Sequence, residues 1–304
     1  MRTKPRAEIG IIGGSGLYQM EGLKHTRTIR VATPFGRPSD EILVGDLEGR
    51  TVAFLSRHGR GHRLAPSFIN YRANIYALKT LGVTRVFSVS AVGSMKESIR
   101  PGDLVVPDQF VDRTSQRPAT FFDQDVVVHV AFADPVCKEL SAVLWEAAQA
   151  VPATVHRPGT YLCIEGPQFS SRAESAIYRQ WGVDVIGMTN IPEAKLAREA
   201  EMCYATLALV TDYDCWHETE EAVSVGAILD IMRASVDVAK QVLRTAVAFV
   251  SSRSACPCQQ ALEHAVVTDP ASITATAKKR YRVLLHRWLN RSNIHPSPER
   301  SRHG

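Results

Sequence analysis

No apolar run in this chain approaches the ~20 residues that a membrane-crossing helix needs, which excludes a helical span. The start, Met1 to Glu8, is polar and leads straight into an apolar strand without a secretory segment, so a cytoplasmic protein with no membrane partner is expected. Cysteine is sparse, at six in 304 residues, and none of Cys137, Cys163, Cys203, Cys215, Cys256 and Cys258 forms the C-x-x-C pairs of a zinc module. Reduced core thiols and no metal-ligating cluster are therefore expected. Cys256-Pro257-Cys258 reads either as a strained redox pair or as a chance pair in a loop. Also missing are a G-x-G-x-x-G fingerprint and the lysine of a nucleoside-triphosphate loop, which weakens both nucleotide-cofactor readings.

Basic charge is concentrated rather than spread. Nine Lys or Arg lie between Arg253 and Arg302 against Glu263, Asp269 and Glu299, more than the whole-chain net charge of +5. The body is thus close to neutral, and a nucleic-acid face is not expected.

What is present is a chain 45% hydrophobic and long enough for one large α/β domain. Ile9 to Leu17 breaks from a β-branched run into Gly13, Gly14 and Gly16, with Ser15 between them. Glycines able to adopt positive φ can point several N–H groups at one anion, so this is either an anion loop or a plain turn after a first strand. A hairpin is expected around Leu47 to Arg50, a helix over Ser67–Leu81, and a strand over Val83–Val89 ending in a small-residue loop, Ser88 to Ser94. Gln109 to Asp123 reads as a long functional loop, and Asp134 to Ala150 as a helix capped by Asp134 with Pro135 in its first turn. Ser171 and Glu174 have capping-box spacing; strands follow near Thr160–Glu165, Val183–Ile186 and Cys203–Val210. Glu218 to Val250 is a helix or a broken pair. The fold class is α/β, a single domain over 1–250 with a mixed central sheet flanked by helices. Residues 251–304 form an extension in which Ile273 to Leu289 suits a basic amphipathic helix, packed on a neighbour or partly disordered.

The chemically suggestive residues all follow apolar strands: Ser15, Arg57 with His58, Ser90 with Ala91, Phe169, Met188 with Thr189, and Asp212 with Asp214. Strand ends are where open α/β sheets bind ligands. Arg57 would grip a phosphate bidentately, His58 and hydroxyls would fill its other positions, and Phe169 and Met188 would cover a base and a sugar. Singly, each is as readily a surface pair, a core residue or a turn aspartate; their joint placement favours a phosphate site beside a nucleoside.

These residues resemble the trimeric purine nucleoside phosphorylases. The resemblance spans about residues 8–250 and rests on the glycine stretch, Thr33 to Asp40, Arg57 to Arg60, Glu165 to Glu174 and Thr211 to Trp216. Ser15 and Ser90 stand where threonine is usual and keep the hydroxyl. The resemblance implies phosphate binding by Ser15, Arg57, His58, Ser90, Ala91 and Thr189, ribose contact by Met188, and purine stacking by Phe169. It further implies that Asp212 and Asp214, flanking Tyr213, read the base edge. A leaving purine needs a proton or strong hydrogen bond at N7, a role that falls to Asp212 with its carboxyl pKa raised by burial and by nearby Asp214, while ionised Asp214 would accept from the 6-amino group. Inorganic phosphate would be a co-substrate, with no metal and no organic cofactor. A homotrimer or dimer of trimers is implied, a neighbour's His129 reaching the 5′ substituent. Ser170 and Asp212 stand where members taking 6-oxopurines carry an acid and an asparagine, so the implied reaction is phosphorolysis of 5′-methylthioadenosine, with 6-oxopurine nucleosides as the alternative. Val225, Ile228 and Leu229, on one apolar helix face, would line the 5′ pocket. The segment after Ser251 lies outside the resemblance.

Overall fold

In the computed structural model residues 6–217, 225–251 and 256–292 are described. Strand β1 (Ile9–Gly13) leads through a short 3-10 turn to β2 (Lys24–Ile29), then the hairpin β3 (Ile42–Leu47) and β4 (Arg50–Ser56). Next come α1 (Tyr71–Thr80), β5 (Arg85–Ser94), β6 (Leu104–Val105), β7 (Gln109–Arg113), α2 (Lys138–Ala148), β8 (Val155–His156) and β9 (Thr160–Ile164). The chain continues with α3 (Arg172–Gln180), β10 (Val185–Gly187), α4 (Asn190–Glu199), β11 (Cys203–Asp212), α5 (Val225–Phe249), α6 (Ala275–Arg280) and α7 (Arg282–Ser292).

Among the described residues eleven strands join in one mixed sheet, ordered β2-β3-β4-β1-β5-β10-β9-β7, with β11 on the other side of β5 and carrying β6 and then β8. The long β5 is the branch point. Its first half pairs in parallel with β1, its last residues pair antiparallel with β10, and β11 runs parallel along nearly its whole length. Alternation along β11 shows why both faces are covered: Tyr204, Ala208 and Val210 face one apolar layer, Cys203, Ala205, Leu207 and Leu209 the other. Helices α1, α4 and α7 pack on the first layer, α2 and α5 on the second.

Local chemistry explains most element ends. The expected hairpin forms, with Leu47 opposite Arg50 and Glu48 and Gly49 both at positive φ. The capping box of α3 is complete in both directions. Helix α1 starts at Tyr71 rather than Ser67, because the Asn70 side chain accepts from the Ala73 N–H while Pro66–Phe68 form a separate 3-10 turn. Helix α2 likewise starts late: Cys137, not Asp134, is its N-cap. Ser88 to Ser94 is strand, not loop, and the expected loop at Gln109 contains β7, which among the described residues is an edge strand paired with β9. Its outward polar residues disguised it.

The C-terminal segment is built into the domain. Val128 bridges Val266, and Tyr281 is buried with its hydroxyl on Asp123 and its ring against Phe122. The single amphipathic helix expected over Ile273–Leu289 is two, α6 and α7, meeting at Tyr281. No helix among the described residues is long and apolar enough to cross a membrane.

Candidate active site

The parallel strands β1, β4, β5 and β11 all end on one side of the sheet, and a cavity of about 260 Å³ opens there. Arg57, His58, Ser90, Ala91 and Thr189 are among the residues lining it, as are Phe169, Ser170, Met188, Asp212 and Asp214. Ten of the residues singled out in the sequence therefore share one cleft.

Arg57 does not present the expected bidentate grip. Its Nε and Nη2 donate to Glu193 Oε2 and Oε1 at 2.8 and 2.9 Å, Nη2 also donates to Ser88 Oγ, and Nη1 donates to Val89 O. Burial opposes its charge, but the fully buried Glu193 carboxylate outweighs that and raises the Arg57 pKa. Of five guanidinium N–H donors, one on Nη1 remains for a ligand. Ser88 Oγ and Tyr204 OH in turn donate to Glu193 Oε1 at 2.8 and 2.9 Å, so the carboxylate is fully engaged.

His58 is also not the donor expected. Nδ1 lies 2.8 Å from Leu64 O, so it carries the proton and leaves Nε2 with a lone pair. Burial lowers its pKa to about 4, with neighbouring Arg57 adding to that, and the ring stays neutral. Ser90 Oγ meets Tyr161 OH and Thr189 Oγ1, each at 3.1 Å. Thr189 occupies the N-cap position of α4 without capping it, which keeps its hydroxyl on the cavity side.

The glycine loop works differently from its expected form. Gly13, Gly14 and Gly16 are absent from the positive-φ residues, and Gly14 is extended at φ −73°, ψ 159°. Close packing, not left-handed backbone, is what Gly13 provides: a Cβ there would lie 2.5 Å from Leu17 Cδ1. Gly14 lines the cavity. Ser15 opens the 3-10 turn, and its side chain lies outside the described part of the structure.

At the other end, Asp212 Oδ2 accepts from the Thr211 hydroxyl and Oδ1 from the Asp214 N–H, at 2.7 and 2.8 Å. Burial pushes the Asp214 carboxyl pKa up against the hydrogen bond from Ser175, and the Asp212 charge adds to the rise. Ser170 Oγ is buried with no protein partner and lines the same cavity. Phe169, 55% exposed, leaves its ring face available at the rim.

Some expected residues are elsewhere. Tyr213 turns away from the cavity and stacks on His217 at 4.6 Å. His129, expected to serve a neighbour's site rather than its own chain's, sits on an exposed segment where its N–H donates to Ala265 O. The side chains of Val225, Ile228 and Leu229 lie outside the described part of α5, from which Met232 reaches the cavity.

Sequence reasoning missed Glu193, Ser175 and Arg117. Arg117 is buried and donates to Glu165 and to the carbonyls of Met188 and Ile191, fixing the backbone that carries Met188 and Thr189. Four contacts hold Glu165, whose pKa falls to about 2 despite burial because Ser67, Ser115, Gln116 and Arg117 all donate to it. The one usable signal was that a buried Arg57 demands an acid; nothing local pointed to Glu193, 136 residues away. Nor did spacing reveal that Cys137, Cys203, Cys256 and Cys258 converge at the opposite end of β11.

Transferring a group from a leaving base to an anion asks for an anion subsite and an acid in one cleft. The ends of β5 and β11 supply them, which defines the class as a phosphorolytic α/β enzyme. Residues 8–248 match the family described as the Phosphorylase superfamily, and the chain belongs to it. It is 60% identical over 282 residues to the S-methyl-5′-thioadenosine phosphorylase of Geobacter sulfurreducens, covering 92% of this chain and 99% of that one. That coverage extends past residue 250, so the relative shares part of the C-terminal segment. A methylthioadenosine phosphorylase crystal structure sourced from an antarctic soil metagenomic library superposes with TM-score 0.89 at 53% identity, covering 93% of this chain and 100% of that one. The Schistosoma mansoni methylthioadenosine phosphorylase in complex with adenine gives TM-score 0.77 at 36% identity, covering 88% and 98%.

Proposed function

We propose that the chain catalyses phosphorolysis of S-methyl-5′-thioadenosine to adenine and S-methyl-5-thio-α-D-ribose 1-phosphate. The observation that carries this reading is the Asp212–Asp214 pair opening into the same cleft as Ser90, Thr189 and Arg57. The names of the relatives support it.

Positive charge develops at C1′ as the purine leaves with negative charge. Phosphate held by Ser90, Thr189, the remaining Arg57 N–H and the Gly14 and Ala91 backbone stabilises the sugar cation and then captures it. His58 Nε2 accepts the hydrogen of the P–OH group, which keeps the other phosphate oxygens unprotonated toward C1′. Asp214, its pKa raised by burial, donates to the base, and Asp212 accepts from the 6-amino group. Ser170 Oγ gains a partner when the base binds. Phe169 stacks on the purine and Met188 backs the ribose. Ser15 joins the phosphate shell, and Val225, Ile228 and Leu229 line the 5′ side.

The reaction needs phosphate as co-substrate and no cofactor. A homotrimer in which a neighbour's His129 completes the 5′ pocket, a cytoplasmic setting and a place in purine and methionine salvage fit this chemistry. Incubation with phosphate and, separately, methylthioadenosine, adenosine, inosine and methylthioinosine, followed by separation of the free bases, tests it. Phosphate-dependent adenine release is expected; release of hypoxanthine alone, or release without phosphate, overturns it.

A further inference from the structure

Four of the six cysteines meet at one point remote from the cleft. The sulfurs of Cys137, Cys203, Cys256 and Cys258 all lie within 4.8 Å of one another, and all four residues are buried. Cys137 Sγ and Cys256 Sγ are 3.6 Å apart. Four ligands at a Zn–S length of about 2.3 Å on the corners of a tetrahedron stand about 3.8 Å apart, whereas a disulfide needs about 2.05 Å.

Each sulfur is delivered by firmly placed backbone. The Cys137 N–H donates to Tyr204 O and the Cys203 N–H to Thr84 O, so α2 and β11 hold their cysteines next to each other. Pro257 opens a 3-10 turn in which Cys256 and Cys258 flank it, turning a C-x-C pair toward the same point. The Leu140 N–H points at Cys137 Sγ at 3.5 Å, and the start of α2 places positive helix-dipole potential beside the thiolates.

We propose that these four cysteines form a closed tetrathiolate site for one zinc ion. Four thiols lose four protons as the ion binds, giving a site of net charge −2 with no change of oxidation state. All four positions are protein ligands and none is open to substrate, which marks the site as structural. Cys203 begins β11 and Asp212 ends it, so about 30 Å of strand separates the ion from the chemistry. Its effect is to fasten the chain just beyond α5 to the sheet and to α2.

Metal analysis of the full-length protein, purified under thiol reductant from zinc-supplemented cells and dialysed against metal-free buffer, tests this. One zinc per chain is expected, and reconstitution with cobalt should give the intense visible bands of tetrahedral thiolate coordination. Cys203→Ser and Cys258→Ser should lose the zinc and the cobalt spectrum, while Cys163→Ser, which alters a buried thiol outside the cluster, should keep both. Wild-type protein without zinc and without a cobalt–thiolate spectrum overturns the proposal, whether its thiols then titrate as free or as disulfides. Because that readout is on the wild type, poor folding of a variant leaves it decisive.

Discussion

A guanidinium held by a buried carboxylate is nearly neutral from a distance, and that is the state of Arg57 beside Glu193. In the proposed reaction its charge alone would not hold the phosphate; its remaining N–H and its rigid placement of Val89 and Ser88 would. Glu193→Gln leaves the cation buried without a counter-charge and gives Arg57 one acceptor oxygen in place of two. We expect a loss of about 3–5 kcal/mol in unfolding free energy by denaturant titration, with a raised KM for phosphate. A loss below about 1 kcal/mol would show that the pair is dispensable. The two aspartates separate in the same way. With Asp214 as donor and Asp212 as acceptor, Asp214→Asn should lower adenine release by ~10²-fold or more while 6-oxopurine turnover falls less. Asp212→Asn should shift the ratio of methylthioadenosine to methylthioinosine specificity constants toward the oxopurine by one to two orders of magnitude, about the 1–3 kcal/mol of a mispaired buried group. Equal ratios in both variants would remove the pair from base reading.

At the scale of elements, the site is the consequence of strands that stop together, and glycine allows one of them to close up. A Cβ at Gly187 would lie 2.0 Å from Tyr161 OH, whereas one at Gly14 would meet nothing within 4 Å. Gly187→Ala must therefore displace Tyr161 and break its hydrogen bond to Ser90, and we expect a cost of about 1–3 kcal/mol with impaired phosphate binding. Gly14→Ala should fold normally, since its φ suits any residue; equal damage from both substitutions in thermal unfolding would contradict this account. The elements legible in the sequence were those with a strong local signal: the Leu47–Arg50 hairpin, the Ser171–Glu174 capping box, and the apolar runs that became β9, β10 and β11. Those missed depended on distant partners. Ser88 to Ser94 looks like a loop because its residues are small, yet it is strand because β11 and β10 pair with it. By the same reasoning Arg57 and Asp212 could be singled out alone, while Glu193, Ser175 and the four-cysteine cluster needed the fold to bring their partners in.

For the whole molecule, two buried groups set opposing pH dependences. Burial raises the Glu199 carboxyl to about 7, against the hydrogen bonds it accepts from Phe121 and Thr120, so between about 4.5 and 7 the folded state binds a proton that the unfolded state does not. Stability from this group falls as pH rises through that window. His58 behaves in reverse. Burial lowers it from 6.5 to about 4, so between those values the unfolded state binds the extra proton and stability rises with pH. Each shift is worth at most about 3 kcal/mol at 1.36 kcal/mol per pKa unit, and the two nearly cancel between pH 4.5 and 6.5. Wild-type Tm should thus change little over that range. Glu199→Gln removes one slope, so its Tm should climb as pH goes from 4.5 to 6.5; His58→Asn removes the other, so its Tm should fall over the same interval. Thermal unfolding of the three proteins in matched phosphate-free buffers reads this directly, and slopes of the same sign in both variants would mean that neither group titrates as its surroundings dictate.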